Sequence, residues 1–358
     1  MATRSAVRAV GGPAAWTADE LEGSTDWWHA FTEVELGEIH AALEHARAAD
    51  PRLDLAHLTP DEFPLPTVAG LVEAIQGQLV DGKGIMVCAG FPVDRYTLPE
   101  LRAIWWGLSQ HIGSPVAQSW RGDVLGDVRD IGTGIEGRAG RGYTSNVELR
   151  FHSDQADVTA LFMLRRAKLG GESRWASSVA VHDEIARRRH DLLEVLYQPF
   201  TVSWQANEPR GERPWHEMPV YGRANDALAC SYVGSNILWA EKNSGAPPLT
   251  PQQVEAVEYV AQVAAEPAFW VERTLEPGSV AFVHNHTVFH MRTAFEDFDE
   301  PDRKRHLLRT WLSLPNSRQL PQSFATLFRD VQAGATRGGY VSRDGRRRFE
   351  TAGPEVSR

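Results

Sequence analysis

The sequence predicts a strand-rich α+β protein with an antiparallel double sheet flanked by helices. Helical spacing dominates the first third of the chain, while short apolar strands cluster around and after His152. Strand and helix do not alternate regularly, which argues against a parallel sheet. There is no Gly-x-Gly-x-x-Gly, no Walker loop and no internal repeat, so nucleotide-binding and solenoid architectures are disfavoured.

The elements follow in order. Residues 1–30 read as a loose lead-in anchored by Trp16, Trp27 and Trp28. Thr32-Glu33-Val34-Glu35 is a capping box, with Leu36, Ile39 and Leu43 behind it at helical spacing. A proline-rich connector spans Pro51 to Pro66. Leu71, Ile75 and Leu79 mark a second helix, closed by Asp81-Gly82, and Ile85 to Cys88 reads as a buried strand. Thr97-Leu98-Pro99-Glu100 caps a third helix carrying Leu101, Ile104, Leu108 and Ile112. Pro115 to Glu148 reads as strands broken by a long loop, Gly132 to Thr144. That loop stands immediately before His152, as a lid over a pocket would. Val158 to Leu164 is a buried strand, Gly170-Gly171 a turn, and Ser173 to Ser177 another strand. A helix is predicted over 181–196, hairpins within an insertion over 197–250, and a capped helix from Thr250 to Ala264. Val280 to His284 and His306 to Leu314 are core strands. The arginine-rich tail from Ala333 reads as solvated.

The 358 residues fit one large domain with insertions, and 42% hydrophobic content supplies its core. A net charge of −10 argues against nucleic acid as a main partner. Cys88 and Cys230 lie among apolar or small neighbours and read as buried free thiols. No stretch approaches the roughly 18 apolar residues of a membrane span, and the first fifteen residues show no signal-peptide pattern. The expectation is a cytoplasmic protein without a membrane partner; a homo-oligomer is compatible with the sequence, which does not set the oligomeric state.

The chemistry begins at Phe151-His152-Ser153-Asp154. On a strand, His152 and Asp154 point the same way, roughly 6.5 Å apart, within reach of one metal ion. His-x-Asp is two thirds of the 2-His-1-carboxylate triad of non-haem Fe(II) oxygenases. A distant second histidine is needed, and His284, His286 and His290 compete for that place. His182 and His216 read as structural.

Five segments together resemble the TauD/TfdA family of Fe(II)- and 2-oxoglutarate-dependent dioxygenases, which includes the clavaminate-synthase-like enzymes. They are Phe151-His152-Ser153-Asp154, Gly170-Gly171-Glu172-Ser173, Pro277-Gly278-Ser279, His290-Met291-Arg292-Thr293-Ala294-Phe295 and Arg305-His306-Leu307-Leu308-Arg309. The resemblance covers roughly residues 65–320. It implies a double-stranded β-helix (jelly-roll, cupin-like) core over 66–320, preceded by a helical lead-in over 1–65 and followed by a tail over 321–358. It implies His152, Asp154 and His290 as the iron ligands, leaving three adjacent positions for 2-oxoglutarate and O₂. Arg305, with the Ser173 hydroxyl, is implied to take the distal carboxylate of 2-oxoglutarate, for which a planar bidentate cation is suited. The family more often has threonine at the Ser173 position. Arg309 is implied to meet the primary substrate or the inner 2-oxoglutarate carboxylate, and a second pocket arginine favours an anionic substrate group. Asn146, Glu148 and Asp157 flank the ligands and are candidates for further substrate contacts, and Gln118 is another such candidate. The implied reaction is hydroxylation of an unactivated C–H, with 2-oxoglutarate converted to succinate and CO₂. Desaturation or another oxidation is the nearest alternative. Because related halogenases replace the carboxylate with a small residue, Asp154 argues against halogenation. A non-catalytic jelly roll that senses a metal or metabolite is the rival from another class. The loops set the primary substrate, and the sequence does not name it.

Overall fold

The computed structural model describes residues 8–132 and 142–350. Among them, two main antiparallel sheets face each other. In spatial order the larger runs Trp28–Ala30, Ile85–Ala89, Val280–His284, Val158–Arg165, His306–Ser313 and Ser114–Val116, and Leu125–Val128 also pairs with His306–Ser313. The smaller runs Trp270–Arg273, Ser173–Ser177, Val288–Arg292 and Leu149–His152. One pairing, Trp28–Ala30 on Ile85–Ala89, is parallel.

The two-residue period of the strands builds the layers. Met86, Cys88, Ala160, Phe162, Val280 and Phe282 face outward and pack with the helices Glu33–Ala49, Ala69–Val80 and Leu98–Ile112. Their neighbours Ile85, Val87, Met163, Ala281 and Val283 face inward against Trp175, Val271 and Val288 of the smaller sheet. That sheet's outer face, with Phe151, Ala176, Phe289 and Met291, is covered by Ser178–Arg188, His190–Leu196 and Pro251–Ala264. Each fully buried side chain of this size contributes about 1.5–3 kcal/mol. The capping boxes at Thr32, Thr97 and Thr250 all form, each worth about 1 kcal/mol. The result is a jelly-roll core with helices on both outer faces.

Several expectations are corrected. Trp16 and Trp27 anchor the lead-in as expected, but its residues Trp28–Ala30 form an edge strand and Trp28 itself is exposed. The helix expected over 181–196 is two helices, because Arg189 leaves the helical region (φ −141°, ψ 66°) and redirects Leu192, Leu193 and Leu196 against Pro251–Ala264. The insertion holds two hairpins but also the short helices Gly234–Leu238 and Ala240–Ser244. The tail is solvated only in part: Arg337 and Tyr340 are buried and the Arg348 backbone pairs with Gly122 and Val124, while Val341 and residues 343–347 are exposed. Most of the loop placed at 132–144, and with it the lid, lies outside the described residues. No described helix is long and apolar enough to cross a membrane. Both cysteines are buried and free.

Candidate active site

Two neighbouring strands of the smaller sheet bring His152 and His290 together. They are direct cross-strand partners, with ring centroids 4.3 Å apart. The strand ends at His152, so Asp154 does not reach the histidines by strand alternation, as expected from sequence. It sits where the chain crosses from the smaller sheet to the larger, its backbone N–H donating to Asn285 Oδ1 (3.0 Å). A turn, not the pleat, makes the pair.

His152 Nε2 lies 3.9 Å from Asp154 Oδ1, and His290 Nε2 lies 3.7 Å from Asp154 Oδ2. Those gaps are too long for hydrogen bonds. They suit an ion held about 2.1 Å from each imidazole nitrogen and from one carboxylate oxygen. The ligand atoms of these three residues all fall within 4.8 Å of one another. His152 Nδ1 sits 2.8 Å from the Arg150 carbonyl and donates to it, which leaves Nε2 as the lone-pair side. Burial, with His152 and Arg309 nearby, drives His290 down to about 3 against the pull of Asp154, so its ring is neutral at ordinary pH. Burial alone would raise the Asp154 carboxyl; Arg309 foremost, then His290, His152 and the Thr159 hydroxyl, bring it to about 2. Two neutral imidazoles and one carboxylate are the donor set that Fe(II) takes. His284 and His286 turn elsewhere: His284 pairs with Thr287 and His286 with Asp157.

Arg305 precedes the strand His306–Ser313 and is 3% exposed. Its Nη1 is buried with no hydrogen-bond partner. Burial, then the nearby Arg292, lowers it to about 9 against Asp297 and Glu172, so it keeps its charge at neutral pH. A buried guanidinium with an unmet donor is a seat for a carboxylate, and a 2-oxoglutarate carboxylate fits that chemistry. Arg292 and Arg305 both lie over the Phe295 ring, at 4.7 and 5.1 Å. Gly170 and Gly171 both have positive φ, and a Cβ on Gly171 would stand 3.0 Å from Arg305 Nε. The Gly-Gly turn therefore lets the chain pass close to this arginine. Ser173 is buried and lies cross-strand from Arg292.

A cavity of about 550 Å³ opens beside the ligands. Arg309 lines it with His152 and Asp154; Arg305 is not among its lining residues. A bulge between His306 and Leu307 sets the two arginines out of the simple four-residue register that would put them on one face. Arg309 Nη1 is 3.7 Å from Asp154 Oδ2, and its Nε donates to Gln118 Oε1 (2.6 Å). Gln118 in turn donates to the Arg309 carbonyl (2.9 Å), so it holds the arginine at both ends. Glu148 lines the cavity, whereas Asn146 is exposed and ties its carbonyl to the Phe295 N–H. Asp157 is not a cavity residue: it is fully buried and bonded to Arg337, His286 and the Leu314 N–H. His182 is buried against Asp183 and Tyr197, and His216 stacks on Trp204.

Sequence reasoning missed Trp311, Thr159, Gln155 and Asn236. Trp311 stands two residues from Arg309, so strand alternation could have placed it on the same face. Asn236, on a short helix in the insertion, carried no such signal.

The fold and this geometry define a non-haem iron oxygenase of the 2-oxoglutarate-dependent class. The model of the taurine catabolism dioxygenase TauD, TfdA family matches residues 54–311, and the chain belongs to that family. It is 31% identical to FR-33289 synthase of Streptomyces rubellomurinus (strain ATCC 31215), over 88% of this chain and 94% of that protein. It is 26% identical to the taurine hydroxylase-like protein SAT17 of Stachybotrys chartarum (strain CBS 109288 / IBT 7711), over 82% and 77%. Among solved structures, asparagine oxygenase in complex with Fe(II), 3-hydroxyasparagine and succinate superposes with a TM-score of 0.62 at 20% identity, over 80% of this chain and 93% of that one. The non-haem iron oxygenase OrfP with Fe and α-ketoglutaric acid gives 0.56 at 16% identity, over 80% and 94%. The protein is a 2-oxoglutarate-dependent dioxygenase that uses Fe(II), 2-oxoglutarate and O₂ to hydroxylate a small-molecule substrate.

Proposed function

We propose that His152, Asp154 and His290 hold the ferrous ion, that Arg305 with Ser173 takes the distal carboxylate of 2-oxoglutarate, and that the 550 Å³ cavity receives a polar, amino-acid-sized substrate with an anionic group. The observation that carries this reading is the placement of two unmet sites, a three-ligand gap and an unpartnered buried guanidinium, in one jelly roll. The bound iron supplies O₂ activation coupled to decarboxylation of 2-oxoglutarate. The protein's part is placement and exclusion of water. Arg305 orients the co-substrate, and the buried His290 imidazole stays neutral and available. Arg309, aimed by Gln118, presents its charge to the anionic end of the substrate. The cavity size supports a small ligand. So do the side-chain amides of Gln155 and Asn236, which line the cavity and keep buried oxygens without hydrogen-bond partners. The similar oxygenases, solved in complex with hydroxyasparagine and hydroxyarginine, support the same size and polarity. Such metabolites and ferrous iron belong to the cytoplasm, where this reading puts the enzyme.

Purified protein with Fe(II), 2-oxoglutarate and O₂ is expected to form succinate and CO₂. Replacing Arg309 with Ala is expected to raise the KM for the primary substrate at least tenfold more than the KM for 2-oxoglutarate, consistent with losing a hydrogen bond to a charged group. Equal effects on both constants would refute the role given to Arg309.

A further inference from the structure

The two oxygens of Asp154 have different surroundings. Oδ2 accepts hydrogen bonds from Thr159 Oγ1 (2.7 Å) and from the Trp311 indole N–H (2.9 Å). No donor among the described residues hydrogen-bonds to Oδ1, the oxygen nearer His152. Thr159 and Trp311 stand directly opposite each other on neighbouring strands of the larger sheet. His152 and His290 are the equivalent cross-strand pair on the smaller sheet. One pair offers ligand nitrogens and the other offers hydrogen-bond donors, with Asp154 on the crossing between them.

We infer that Thr159 and Trp311 are positioning residues that make Asp154 a one-oxygen metal ligand. A carboxylate oxygen has two lone pairs, and the two donors engage both on Oδ2. Oδ1 keeps its lone pairs for the ion. A carboxylate that swung to bind through both oxygens would take a coordination position that 2-oxoglutarate or O₂ needs. Asn285 prevents drift at both points. Its Oδ1 fixes the Asp154 backbone N–H, and its Nδ2 donates to Thr159 Oγ1 (3.1 Å), which turns the threonine proton toward Asp154. Trp311 also lines the substrate cavity, so the residue that pins the metal's carboxylate forms part of the substrate wall.

The inference rests on the proposed ligand set and is tested by metal binding, not turnover. Co(II) is titrated into metal-free protein by calorimetry, and the ligand-field spectrum of the Co(II) form is recorded. Thr159→Val keeps shape while deleting one donor, and Trp311→Phe deletes the other while keeping an aromatic ring, though a smaller one. Each is expected to bind Co(II) about tenfold or more weakly, the cost typical of losing a partner behind a ligand, and to change the spectrum. Thr159→Ser restores the hydroxyl and is expected to stay within about twofold of wild type. Wild-type affinity and spectrum in both deletion variants overturn the inference. So does a Thr159→Ser variant as weak as Thr159→Val, because the loss would then come from packing. If wild-type protein binds no Co(II), the ligand set itself fails, a separate outcome.

Discussion

Asp154 and Asp157 lie three residues apart, the first half-buried and the second fully buried, and each has histidine and arginine beside it. Around Asp157 the partners have closed in: Arg337 Nε at 2.8 Å, His286 Nε2 at 3.0 Å and the Leu314 N–H at 3.1 Å. Around Asp154 the nearest imidazoles stand off at 3.7 and 3.9 Å, and Arg309 at 3.7 Å. The arginines repeat the contrast. Arg337 spends its guanidinium on Asp157 and on the carbonyls of Gln332 and Arg318, while Arg305 keeps an unmet buried Nη1. The same residue types thus make a structural lock in one place and a receptive site in the other. The difference is how far the protein itself satisfies them: Asp157 is bonded at both oxygens, Asp154 at Oδ2 alone. Buried polar groups left unpaired are costly, so a fold retains them where something else completes the set.

Asp154→Ala is expected to break the comparison most sharply. Succinate formation should fall to about a thousandth or less, because the metal loses its only anionic ligand. The melting temperature should change by less than in the Asp157 variant, since the carboxylate is half-buried and only the Thr159 and Trp311 donors lose their acceptor. Asp157→Asn should do the reverse. It leaves Arg337 buried without its counter-charge and should cost about 3–5 kcal/mol in urea unfolding while Co(II) affinity is retained. Substituting Asp154 and seeing a stability loss of that size would erase the distinction.

Arg305→Leu against Arg337→Leu sharpens it. Removing Arg305 should raise the 2-oxoglutarate KM by roughly 10- to 100-fold, the worth of a charge-assisted bond, with little change in stability. Removing Arg337 should lower stability and leave that KM alone. Both are read from succinate kinetics and thermal melts.

The smallest effect is on pH. Burial pushes the Asp157 carboxyl up, but His286 and Arg337 outweigh it and hold it below its ordinary value of 3.8. A depressed carboxyl contributes stability that is fully present above its unfolded pKa and lost as pH falls through the folded one. Below about pH 3.8, wild-type unfolding free energy should therefore fall by up to about 1.4 kcal/mol per pH unit from this group. Asp157→Asn should flatten that acid limb. Urea melts between pH 3 and 7 check it, and an identical acid limb in both proteins would remove Asp157 as its source.

Much of this was legible in the chain because the signals are local. The capping boxes at Thr32, Thr97 and Thr250 and the apolar run of Val280 to His284 depend on neighbours a few residues away. The buried part of the tail was missed for the opposite reason. Arginines in sequence read as solvated, yet Arg337 is buried because Asp157, far along the chain, meets it.

The sequence by itself determined the class of core, the helix starts and the residue types available for chemistry, since these follow from backbone periodicity and side-chain identity. Only the tertiary structure decided which carboxylate stays open and which arginine stays unpaired. Strand register puts His290 opposite His152 and Trp311 opposite Thr159, and the crossing between sheets sets Asp154 among them. Those distances come from chain segments more than a hundred residues apart, and no local pattern encodes them.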